Sequence, residues 1–97
     1  MKYDPIILYL EVTSILGKYD EVFLDVIMGK KDSNIKFTDL CNLLDKLGFR
    51  CSIRGDHYIY RRDDTPIINI QPNGDKAKPY QVKQVRNIIL QCNLEVE

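Results

Sequence analysis

Between positions 38 and 92 the apolar residues change spacing twice, and each change marks a new kind of element. Leu40, Leu43, Leu44 and Leu47 recur at i, i+3, i+4 and i+7, which predicts a helix over Asp39–Leu47 with one buried stripe. Thr38 is its candidate cap, and Gly48 ends it in a left-handed conformation. From Phe49 the period drops to two: Phe49, Cys51 and Ile53 are expected inward, and Arg50, Ser52 and Arg54 outward. Gly55-Asp56 is a two-residue hairpin signal, with Gly55 serving the turn. His57–Arg61 reads as a second strand, Asp63-Asp64-Thr65 as a turn, and Pro66–Gln71 as a third strand. Pro72–Lys78 reads as a loop. Pro79 then opens a helix to Cys92, whose stripe is Val82, Val85, Ile89 and Cys92, widened by Ile88. The order is α-β-β-β-α. It predicts an α+β domain with an antiparallel three-stranded sheet, both helices on one face and the other face wet.

Upstream, residues 1–34 read as an N-terminal extension of short helices within the same compact unit, with 35–97 as the main domain. Asp4 can cap a helix with Pro5 in its first position and Gly17 at its end. Ile6–Leu10 is apolar on all sides, so a strand stays open there. A second helix is predicted over Asp20–Met28, closed by Gly29 and Lys30, and the polar stretch Gly29–Asn34 joins the two parts. Ile6–Leu10 and Val22–Ile27 are more apolar than a free tail, which makes the extension a candidate oligomerisation arm.

Composition narrows the chemistry. The 97 residues carry 14 Lys plus Arg and 14 Asp plus Glu, so net charge alone recruits no polyanion. Hydrophobic residues at 44% and charged residues at 29% fit a globular domain, and no apolar run approaches a membrane span. The start MKYDP shows no secretory pattern, and the three cysteines, Cys41, Cys51 and Cys92, lack CxxC spacing. A cytoplasmic location with buried free thiols is therefore expected. One histidine excludes a multi-histidine metal centre, and neither metal nor cofactor is expected.

Charge becomes informative only when it is sorted by face. Burying Tyr58 and Tyr60 removes more area from water than burying Ile59 between His57 and Arg61, so the tyrosines are predicted inward. The wet face then holds Arg50, Arg54, His57, Arg61 and Asn69. Lys46, Arg50, Arg54, Arg61 and Arg62 stand against Asp56 alone in this stretch, a local positive patch beside an imidazole. That pairing suits a phosphodiester, although basic residues on a wet strand also serve plain solubility. Lys76, Lys78, Lys83 and Arg86, before and along the last helix, carry the same two readings: a solvated face or phosphate contact.

Four segments carry a resemblance to a known family: LCNLLDKLGF (Leu40–Phe49), RGDHYIYRR (Arg54–Arg62), IINIQPNG (Ile67–Gly74) and KAKPYQVKQVRNII (Lys76–Ile89). In order and spacing they resemble the HicA toxins of type II toxin–antitoxin systems. The resemblance implies a double-stranded-RNA-binding-domain-like fold and a metal-independent endoribonuclease, an mRNA interferase with one catalytic histidine. The family's Gly-Ser-His becomes Gly55-Asp56-His57 here, so serine is replaced by a carboxylate. On this reading His57 is the general base, Arg54, Arg61, Lys76, Lys78 and Lys83 meet RNA, and the partners are mRNA and a HicB-like antitoxin. Assembly would be a toxin–antitoxin hetero-oligomer, or a homo-oligomer through the extension. The alternative is an inactive module of the same fold that binds RNA or antitoxin.

Overall fold

A computed structural model describes residues 18–96. The expectations for Asp4, Pro5, Ile6–Leu10 and Gly17 lie outside that range. Within it, α1 (Lys18–Met28) and a 3-10 turn (Asp32–Asn34) lead into α2 (Phe37–Lys46). Strands β1 (Arg50–Arg54), β2 (His57–Arg61) and β3 (Ile68–Ile70) follow, then a small hairpin of β4 (Pro72–Asn73) and β5 (Lys76–Ala77), and finally α3 (Pro79–Cys92). The three long strands form an antiparallel sheet in the order β1-β2-β3. This is the predicted α+β architecture, with α1 added before it.

Leu40, Leu43 and Leu44 of α2 and Leu47 at its C-cap are fully buried, and they share one core with Tyr60, Ile68 and Ile70 of the sheet and Val82, Val85, Ile88 and Ile89 of α3. Phe37 adds an edge-on ring contact to Tyr58, with centroids 4.9 Å apart. Val22 and Val26 bring α1 into the same core.

Several details differ from the sequence reading. The helix expected from Asp39 begins at Phe37, and Thr38 lies inside it rather than capping it. Phe37 is buried, and its backbone N–H donates to the Asp75 carbonyl at 2.9 Å, so the chain turns into the helix two residues early. Cys51 and Ile53 keep the inward parity but are exposed, because β1 is the edge strand; only Phe49, just before the strand, is buried. The three thiols are accordingly not buried as a set: Cys51 is exposed, and Cys41 and Cys92 are half-buried. The third strand is shorter than Pro66–Gln71. Pro66 has no N–H for the ladder, and the Thr65 backbone N–H is drawn back to the Arg62 carbonyl at 3.2 Å. The loop expected over Pro72–Lys78 folds as the β4–β5 hairpin.

Arg86 is the largest departure. It is neither solvated nor free for phosphate. Its guanidinium grips Asp32 in a fork, with Nη1 2.9 Å from Oδ1 and Nη2 3.1 Å from Oδ2, and Nη1 also donates to the Val26 carbonyl at 3.1 Å. Both side chains are mostly buried. Gly29 passes against this group at φ +71°, where an added Cβ would stand 2.9 Å from Arg86 Nη1, so position 29 requires glycine in both shape and space. One arginine thereby ties the end of α1 and the 3-10 turn to α3.

Removing one partner of such a pair strands a charge with little water. Arg86→Ala is expected to lower stability by about 3 kcal/mol in urea unfolding. A loss below about 1 kcal/mol would mean that apolar packing alone holds α1.

Tyr60 and Cys41 give a second expectation. Burial pushes the Tyr60 hydroxyl well above its usual range, reinforced by hydrogen bonding with Cys41 and Cys51. Burial likewise raises the Cys41 thiol, against a smaller opposing effect of the Tyr60 hydrogen bond. The folded state therefore keeps both protons at pH values where the unfolded chain has released them, and stability falls as pH rises. The fall should begin near pH 9 with Cys41 and steepen above about pH 10 with Tyr60, whose deprotonation in the unfolded chain contributes about 1.4 kcal/mol per pH unit. Constant stability between about pH 9 and 11 would contradict the burial of these two groups.

Candidate active site

The β-ladder fixes which side chains share the open face. Across β1 and β2, Arg54 pairs with His57, Ser52 with Ile59 and Arg50 with Arg61. Across β2 and β3, Ile59 pairs with Asn69 and Tyr58 with Ile70. Directly paired residues point to the same side. Tyr60 is inward, so Arg50, Ser52, Arg54, His57, Ile59, Arg61 and Asn69 are outward, as the alternation predicted. One further step along the β2–β3 register sets Gln71 opposite His57. A polar row then crosses the sheet at its hairpin end: Arg54, His57, Gln71.

Each member of the row is held differently. Gly55 at φ +61° makes the turn that delivers His57 to the first position of β2, and an added Cβ there would meet nothing within 4 Å, so its role is conformational. The His57 side chain is 47% exposed. Gln71 Nε2 lies 2.9 Å from its Nδ1 and 3.0 Å from its Nε2, and Asn69 Oδ1 lies 3.4 Å from Nδ1. Asp56 Oδ1 is 3.8 Å from Nε2, so its carboxylate is beside the ring. Lys78 extends the row, with Nζ donating to Gln71 Oε1 at 3.3 Å. Lys78 is also the residue before α3, whose uncapped first turn adds positive potential there.

The expected cations divide into groups. Arg54 is exposed, and its side chain makes no hydrogen bond or ion pair among the described residues. Arg61 leans across the face to donate to Ser52 Oγ at 3.0 Å, and Lys78 belongs to the His57 row. Arg50 pairs with Asp63 at 2.8 Å. Arg62 turns away to bond the Leu47 carbonyl at the end of α2 and Asp64, so it is a structural residue. Lys76 lies elsewhere. It donates to Asn34 Oδ1 at 2.9 Å and lines a cleft of about 200 Å³ with Val22, Asp25, Ile35, Lys36 and Asp39. Lys83 is exposed on α3, in the helical layer behind the sheet.

Gln71 and Gln81 escaped the sequence reading. Gln81 is 3% exposed, and its Oε1 accepts the Gln71 backbone N–H at 3.3 Å, locking the end of the sheet to the first turn of α3. Gln71 was within reach of the alternation, since it follows Asn69 by two and shares its face. Gln81 gave no signal, because a lone glutamine in a helix reads as surface.

Among the described residues no group of three His, Cys, Asp or Glu side chains is placed to hold a metal ion, and no helix is long and apolar enough to cross a membrane. A family model described as the HicA toxin of bacterial toxin–antitoxin systems matches residues 37–94, more than half of the chain. The match covers α2, the sheet, the small hairpin and α3, and leaves out α1 and the 3-10 turn. No curated protein and no solved structure matches.

Proposed function

Because this chain belongs to the HicA toxin family of bacterial toxin–antitoxin systems, we propose that it is the toxin and acts as an endoribonuclease on mRNA, with His57 as its base. The observation that carries the proposal is the row Arg54–His57–Gln71–Lys78: one imidazole, half exposed, between two cations on an open face. A phosphodiester laid along the row meets a positive side chain at each end, and Arg61 supplies a third contact at the far end of β2, beyond Ile59. His57 then takes the proton of the ribose 2′-hydroxyl next to the scissile phosphate. The 2′-oxygen attacks phosphorus, and the 5′-oxygen leaves with a proton from Lys78 or water. An attacking group already joined to the substrate removes the entropy cost of positioning a free water, so one base is enough for a slow enzyme. The antitoxin, which we take to be HicB-like, silences it by covering this face. Lys76 and Lys83 are left out of the proposed RNA contacts, since Lys76 bonds Asn34 at the cleft and Lys83 stands on α3, away from the His57 row.

Asp56 favours a second reading. Its carboxylate 3.8 Å from the imidazole repels a phosphate as readily as it orients the ring, which suits a module that binds RNA or antitoxin without cutting.

His57→Ala is expected to lower cleavage of a short RNA by about 10²- to 10⁴-fold while leaving RNA affinity within about twofold. An RNA with 2′-deoxyribose at the cut position should bind and resist cleavage. Undiminished cleavage by His57→Ala would refute the enzyme reading. Binding without any cleavage by the wild type would favour the module.

Affinity should also depend on salt despite the zero net charge. Three phosphate contacts, from Arg54, Arg61 and Lys78, give a log–log slope of about −2 to −3, and Arg61→Ala should reduce its magnitude by slightly less than one. A slope near zero would remove the cationic face from the account.

A further inference from the structure

We propose that Gln71, clamped by Lys78, is a positioning residue that sets the ring plane and tautomer of His57 and leaves Nε2 as the basic nitrogen; this rests on His57 acting as the base. The first support is the shape of the contact. One amide nitrogen stands almost equally far from both ring nitrogens, at 2.9 and 3.0 Å. In the ring plane such a position would overlap Cε1, so the amide rests over the face of the imidazole. It fixes the plane of the ring without occupying the in-plane direction of either nitrogen.

The second support is the direction of the amide. An ammonium can only donate, so the Lys78 contact at 3.3 Å sets Gln71 Oε1 toward Lys78 and the NH2 edge toward His57. Gln71 cannot drift as a unit, since its backbone N–H is held by Gln81, itself buried in α3. Support therefore runs from the core of the domain, through Gln81 and Gln71, to the exposed ring.

With one face covered, the two ring nitrogens are told apart by their other neighbours. Nδ1 faces the Asn69 Oδ1 acceptor at 3.4 Å, so in the neutral ring Nδ1 carries the hydrogen. Nε2 then carries the lone pair. Its remaining neighbour is the Asp56 carboxylate at 3.8 Å, an acceptor too far away to hold a hydrogen. Free imidazole side chains prefer the opposite tautomer, with the proton on Nε2, so a dominant Nδ1–H form has to be imposed by the surroundings. In the proposed reaction Nε2 faces outward past the hairpin turn, where the substrate hydroxyl arrives.

The test combines nitrogen-15 NMR of the His57 ring with single-turnover cleavage, at about pH 8.5, where an ordinary imidazole is neutral. The wild type should show predominantly the Nδ1–H form. In Gln71→Ala the Nε2–H form should grow, and the rate at saturating protein should fall about tenfold with KM within about twofold. Lys78→Arg, which keeps a donor, should preserve the ring signature, and Lys78→Met should lose it. A ring signature unchanged in Gln71→Ala, or a loss confined to KM, overturns the positioning role even where His57→Ala abolishes cleavage. A changed signature alongside a His57→Ala variant that cuts like the wild type overturns the functional reading instead.

Discussion

The arrangement depends on the alternation of β2. Five residues span that strand, and its second tyrosine is almost fully buried. A strand has only two faces, so burying Tyr58 and Tyr60 against α2 forces His57, Ile59 and Arg61 outward. A slip of one residue would put an imidazole and a guanidinium into the core. The cost of burying those groups without partners makes the register strongly specified. The packing that stabilises the domain is thus the same event that presents the histidine. Leu40, Leu43, Leu44 and Leu47 supply the surface on which the tyrosine side of β2 packs.

The strand next to it carries less. β1 contributes Arg54 and Ser52 to the open face, but its inward residues Cys51 and Ile53 stay exposed at the edge of the sheet. Alternation reads a face, not whether anything lies over that face, which is why Cys51 and Ile53 were expected in the core and are not. The boundary errors have the same origin. Phe37 and Pro66 end or begin elements through a distant carbonyl and a missing N–H, and neither follows from local periodicity. Residues whose places are set by spacing, such as the leucine stripe, Gly55, His57 and Asn69, are legible in the sequence. Those whose roles are set by a partner far along the chain are not: Arg86 with Asp32, Arg62 with the end of α2, Gln81 with Gln71.

The Arg86–Asp32 fork also explains how residues outside the family match become part of the same body. α1 and the 3-10 turn precede position 37, yet Val22 and Val26 are in the common core, and the guanidinium bonds the Val26 carbonyl in the last turn of the helix. A cleft lined by Lys36 and Lys76 opens along that seam, behind the sheet, and it draws Lys76 away from the His57 row. Arg86 and Lys76 thus serve the seam with the extension, while Arg54, Arg61 and Lys78 line the open face, and only these three enter the proposed RNA surface.

That division is tested most directly by mapping where RNA lies. Backbone amide spectra recorded while a 2′-deoxy-substituted RNA of the target length is added should move Arg54, His57, Ile59, Arg61, Asn69 and Lys78 together. Lys76, Lys83 and the remainder of α3 should stay in place. Shifts confined to Lys76 and Lys83, with the outer face of β2 undisturbed, would contradict the account, because the imidazole would then stand on the side of the molecule that RNA does not touch.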